Sequence, residues 1–220
     1  MLLGPSLMLA GVTLRIQFHF FFPQQIAAFH EHPKLIVASY SCFLAGNILL
    51  WPAVIGLAEM IHVKKPGWAK WGGTLVLFGL FARTFHAGID HLAFQIARVH
   101  NPELAARTVA SSYGAFHIVS TLTPAILLGW IVLAIGACLS DTLSLSRSIG
   151  LGLMSALMSG VLKGSTWVSL VATGGLCIAF CPLGIEFLLA EPRPTVRTAL
   201  GWAVLIAGLV GTLFLVGRLG

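Results

Sequence analysis

Charged side chains are scarce in this sequence. Of its 220 residues, 13 are Lys or Arg and 7 are Asp or Glu, together 9% of the chain, against 57% hydrophobic. A soluble domain is roughly 25% charged, and a protein folded in water covers much of its surface with polar groups. The deficit excludes an ordinary water-soluble fold and points to apolar surface that meets lipid. A basic stripe is missing as well. Lys64, Lys65 and Lys70 form the one local concentration of positive charge, so nucleic acid is not an expected partner.

Other absences narrow the chemistry. Cys42, Cys138, Cys177 and Cys181 all lie in apolar runs, where a thiol serves as a small hydrophobe. Cys177 and Cys181 share a helix face, but no histidine or second cysteine pair lies near them in sequence to complete a metal site. The N-terminus lacks a basic leader and a small-x-small cleavage site, so it is expected to stay as a first span. No HExxH and no Gly-x-Ser-x-Gly occurs, and no histidine follows His117.

What is present is a series of long apolar runs. A spanning helix needs about 20 mainly apolar residues. Runs over residues 5–29, 35–61, 71–97, 108–138, 166–189 and 196–216 meet or approach that length. His32-Pro33, Lys65-Pro66-Gly67, Asn101-Pro102-Glu103 and Pro192-Arg193-Pro194 punctuate them. Asn101-Pro102-Glu103 also has the form of an N-cap, a proline at the first helical position and an early acid. The expected fold is all-α, a polytopic bundle of six spans in one membrane domain, residues 1–220. Residues 148–162 are apolar but short, and fit a re-entrant or interfacial helix as well as a seventh span. Basic residues divide almost evenly between the two sides. The Lys64–Lys70 cluster after the second span favours a cytoplasmic N-terminus.

Ionisable residues inside spans are costly, and they mark functional sites or interhelical contacts. They concentrate in residues 1–138, while residues 139–220 read as apolar helices. Arg83, His86 and Asp90 are spaced three and four apart, a single stripe on the third span. Tyr113, His117 and Ser120 repeat that spacing on the fourth. Arg15 and His19 stand four apart on the first, and the second contributes Asn47. Depth can be counted at about 1.5 Å per residue from the face where the first and third spans emerge. His19, His86, Asp90 and His117 then fall within about two helical turns of one another. If their stripes face one interior, they form a polar chamber.

Three histidines and a carboxylate suit a transition metal, zinc foremost, so His19, His86, Asp90 and His117 form a candidate metal set. His86 and His117 alone could hold a haem between helices. The whole set could instead pass a proton, or bind an anionic or quinone-like ligand through Arg15 and Arg83. The expected function is binding or translocation of a proton, metal ion or small amphipathic ligand. An intramembrane metal-dependent enzyme and a structural subunit of a larger membrane complex or homo-oligomer are the alternatives. The seven-span zinc hydrolases that include alkaline ceramidases and adiponectin receptors use intramembrane His, Asp and Ser. Their C-terminal HxxxH pair has no counterpart here. The bis-histidine anchor subunits of respiratory complexes share the chain size and span number but no local motif.

Overall fold

Prolines set where the helices begin. The computed structural model describes residues 1–157, 160–190 and 195–217, and among these every regular element is a helix. The order is α1 (Leu3–Leu14), α2 (Phe22–Glu31), α3 (Pro33–His62), α4 (Pro66–Val99), α5 (Pro102–Ser112), α6 (Thr123–Leu139), α7 (Leu145–Gly152), α8 (Trp167–Leu189) and α9 (Val196–Gly217). Pro33, Pro66 and Pro102 each occupy the first turn of a helix, where the missing N–H has no intrahelical acceptor to lose. Asn101 caps α5, its side chain accepting from Leu104 N at 2.7 Å. The Pro192-Arg193-Pro194 break lies outside the described residues.

Four helical stretches are long and apolar enough to cross a membrane: Pro33–His62, Ile118–Leu139, Trp167–Leu189 and Val196–Val216. α4 has the length, at 34 residues, but carries too much polar character to qualify on composition. The expected second and third spans are therefore single helices, while two other expectations need correction. The first span, 5–29, is broken. α1 stops at Leu14, and α2 begins only at Phe22, with Pro23 in its first turn. Proline disfavours helical geometry in the residue before it, and the freed carbonyls of His19 and Phe20 are taken by Gln25 and Gly164. The fourth span, 108–138, is broken too. Gly114 at φ 88° ends the run after α5, and a 3-10 turn, Ile118–Leu122, leads into α6. Nor is 148–162 a seventh span. α7 is 8 residues long, about 12 Å, and is followed by a 3-10 turn, Leu153–Ala156; Met158 and Ser159 lie outside the described residues.

The chain divides into two compact units, Met1–Gly184 and Ile185–Gly220. The second contains α9, a 22-residue apolar helix. In the first, α1 packs on α3, α3 on α4, and α4 on α6. Glycine permits the closest approaches. A Cβ on Gly11 would lie 2.7 Å from Phe43 N and Ser39 O, and one on Gly46 would lie 2.6 Å from Met8 N. At the α4–α6 crossing, a Cβ on Gly129 would meet Val76 N at 2.7 Å, and one on Gly72 would meet Leu133 N at 2.8 Å. Small residues at such crossings let backbones pack without a hydrophobic drive, as expected between helices in lipid. One apolar cluster centres on Leu57, Leu80, Trp130 and Phe180. A second joins Ile26, Phe29, Phe94 and Val109, with Phe29 and Phe94 stacked at 4.6 Å.

Gly11→Ala should therefore destabilise the α1–α3 pair by about 1–3 kcal/mol, the usual cost of overpacking. Gly88→Ala, where an added Cβ meets nothing within 4 Å, should be neutral or stabilising through helix propensity. Thermal unfolding of the two variants in detergent checks the contrast, and equal melting temperatures would contradict it.

Candidate functional site

The stripe on α4 faces inward. Arg83 and Asp90 are buried and His86 is half-buried. Together with Arg15, Tyr40, Lys163 and Gly164 they line a small cavity of about 40 Å³. Its remaining walls include Val12 and Phe43 from the α1–α3 pair. The chamber shares Arg15, Arg83, His86 and Asp90 with the expected set and adds Tyr40 and Lys163.

Buried charges need partners, because an ion removed from water loses far more than a neutral group. Here partners come from Leu157, Leu162 and Ser165, which lie between the 3-10 turn after α7 and the start of α8. Arg83 Nη2 donates to Leu157 O at 2.8 Å. The backbone N–H of Leu162 donates to Asp90 Oδ1. Arg15 Nε donates to Ser165 Oγ at 3.0 Å, and its guanidinium lies over the Tyr40 ring at 4.4 Å and the Phe43 ring at 4.8 Å. The Tyr40 hydroxyl donates to Gln25 Oε1 at 3.2 Å and lies 3.3 Å from Lys163 O. The Lys163 ammonium faces three aromatic rings, Phe20 at 5.0 Å, Tyr113 at 5.1 Å and Phe21 at 5.6 Å. Leu162 holds φ 49°, a left-handed conformation uncommon for leucine. Its N–H bond to Asp90 is formed in that conformation.

A second and larger cavity, about 510 Å³, lies between α4, α5 and the stretch that follows α5. Its walls are largely apolar, with Ile89, Leu92, Ile96, Val109 and Phe116, and its polar groups include Tyr113, His117 and Ser120. His86 and Gly160 line both cavities. The His86 and His117 rings stand 6.3 Å apart, nearly perpendicular at 80°, and the Nδ1 of each is buried without a hydrogen-bond partner.

The expected site residues thus divide. Arg15, Arg83, His86 and Asp90 line the chamber. Tyr113, His117 and Ser120 line the larger cavity, on a non-helical turn and a 3-10 turn in place of one helical stripe. His19 is exposed and stacks on Phe21 at 5.6 Å, turned outward by the break after α1. Asn47 is buried, but it ties α3 to α4 by donating to Leu80 O and Thr84 Oγ1, both at 3.0 Å. Among the described residues no group of three or more His, Cys, Asp or Glu is placed to hold a metal ion. The set His19, His86, Asp90 and His117 is therefore not assembled. Tyr40, Gln25, Lys163 and Ser165 were not foreseen. Lys163 and Ser165 had a signal in Lys163-Gly164-Ser165-Thr166, a polar interruption of apolar sequence that reads as a break between spans, whereas Gln25 and Tyr40 had none.

Asp90→Leu should leave the buried Leu162 N–H unpaired and remove the chamber's carboxylate, costing about 1–3 kcal/mol. Asp90→Asn keeps an acceptor and should cost markedly less. Thermal unfolding ranks the two variants. Limited proteolysis should show new cleavage within residues 157–166 only in Asp90→Leu. No family model matches this chain, and no curated protein or solved structure matches it either.

Proposed function

We propose that this protein binds a small amphipathic ligand within the membrane, its polar end at the Arg/His/Asp chamber and its apolar body in the larger cavity. The observation that carries the reading is the shared wall. His86 and Gly160 border a small polar chamber on one side and a largely apolar cavity of about 510 Å³ on the other. That volume falls within the roughly 300–1,000 Å³ of small-molecule pockets, which pair apolar walls with a few placed polar groups. Glycine at position 160 puts no side chain between the two spaces. In this reading α4 also crosses the bilayer, since Arg83 and Asp90 face the protein interior. Counting α1 with the stretch that follows it gives six crossings, with the N-terminus on the cytoplasmic side of the Lys64–Lys70 cluster.

A second reading rests on the histidine pair. A bis-histidine haem takes two axial imidazoles, whereas a structural zinc site takes four ligands. His86 and His117 are two imidazoles 6.3 Å apart on the wall of the large cavity. A Soret band in the purified protein, lost in both His86→Ala and His117→Ala, would favour haem over the amphipathic ligand.

The principal reading is tested by photo-crosslinking in nanodiscs with decanol and decanoate that carry a diazirine on the chain. Labelling should concentrate in residues 89–117. Ser112→Trp and Ala115→Trp, at the exposed lip of the large cavity, should reduce it severalfold without lowering the melting temperature. Labelling spread evenly over the lipid-facing helices, and unchanged in both variants, would sink the reading.

A further inference from the structure

We propose that the polar end of the bound ligand is a single carboxylate received by Arg15, an inference that rests on the amphipathic-ligand reading above. Arg15 is 4% exposed and lines the chamber. Its Nε is engaged by Ser165 and its face by Tyr40 and Phe43, yet its Nη1 is buried with no hydrogen-bond partner. A buried charged donor without an acceptor is costly, and an incoming anion would remove that cost.

The charges lining the chamber favour an anion. Arg15, Arg83 and Lys163 stand against one carboxylate, Asp90. The Lys163 ammonium already faces three aromatic rings, whose π faces attract a cation. The lining therefore carries an excess of positive charge, which favours an anionic head. Size limits that anion. A cavity of about 40 Å³ holds about three water-sized groups, which matches the three heavy atoms of a carboxylate. A phosphate monoester has five. Planar geometry also suits a guanidinium, which pairs with carboxylates through parallel N–H bonds.

A carboxylate could arrive on a long-chain acid or as a free small anion, and competition experiments separate the two. Diazirine-decanoate bound in nanodiscs is displaced with unlabelled decanoate, decanol or acetate. Decanoate should compete about tenfold or more better than decanol, the size of one charge-assisted hydrogen bond. It should exceed acetate by at least as much, because acetate leaves the large cavity unfilled. Arg15→Gln should abolish the preference over decanol while decanol binding is retained, and Arg15→Lys should restore part of it. If Arg15→Gln fails to fold, the comparison of ligands on the unaltered protein still decides. Equal competition by decanoate and decanol would overturn the carboxylate head and leave the amphipathic-ligand reading standing. Acetate as effective as decanoate would keep the carboxylate and overturn the tail. Failure of both long-chain probes to label the cavity would overturn the underlying reading itself.

Discussion

The unit Met1–Gly184 depends on satisfying three buried charges, Arg15, Arg83 and Asp90. Helices cannot do this alone, because a helix consumes its own backbone donors and acceptors. The chain supplies the partners by leaving helical conformation in two places. Residues 15–21, Leu157 and residues 160–166 bring free backbone and hydroxyl groups to the chamber, and the first and last of these also bond to each other through Gly164 N and Phe20 O at 2.9 Å. Irregular backbone at membrane depth is tolerated only where protein or an aqueous cavity surrounds it. The charges and the irregular segments therefore require one another. Asp90 without Leu162 would be an unpaired carboxylate, and Leu162 without Asp90 would hold a left-handed conformation with an orphaned N–H.

That mutual dependence needs a firm frame, and the glycines provide it. Gly11 and Gly46 bring α1 against α3, while Gly72 and Gly129 bring α4 against α6. Close backbone contact fixes the axial position of each helix, so Tyr40 on α3 and Arg83 on α4 reach one cavity. The larger cavity has no such clasp. It lies beside α5 and the stretch after it, where Gly114 at φ 88° and the 3-10 turn interrupt regular packing. A tight polar chamber thus borders a roomier apolar one, with His86 and Gly160 as the common boundary.

The sequence was informative where periodicity and proline decide structure. Pro33 and Pro66 mark the starts of α3 and α4, and the three-and-four spacing of Arg83, His86 and Asp90 places them on one inward face. Hydropathy was silent about helix breaks, because an apolar run scores alike whether its backbone continues or turns. Depth counting through residues 15–29 and 108–122 assumed about 1.5 Å per residue of unbroken helix. That assumption moved His19 inward and put Tyr113, His117 and Ser120 on one stripe. The partners of Arg83 and Asp90 are mostly backbone atoms of Leu157 and Leu162, and backbone donors leave no trace in residue identity. Lys163-Gly164-Ser165 was visible as a break, but a break between spans and a segment folded back to a buried chamber look the same in one dimension.

Interhelical adhesion by itself does not require charges of this kind. Neutral groups already hold the helices in register: Ser39 Oγ donates to Gly11 O at 2.6 Å between α3 and α1, and Asn47 ties α3 to α4 through Leu80 O and Thr84. Such bonds cost little desolvation and contribute about 1 kcal/mol each between helices in lipid. Replacing a buried ionic cluster with apolar side chains is often neutral or stabilising, so stability is weak grounds for keeping one. The chamber nonetheless holds two arginines and one aspartate, leaves Arg15 Nη1 without a partner, and shares a wall with a cavity large enough for a ligand. On the proposed reading, the open Arg15 donor in that chamber receives an anion that the chain does not itself provide.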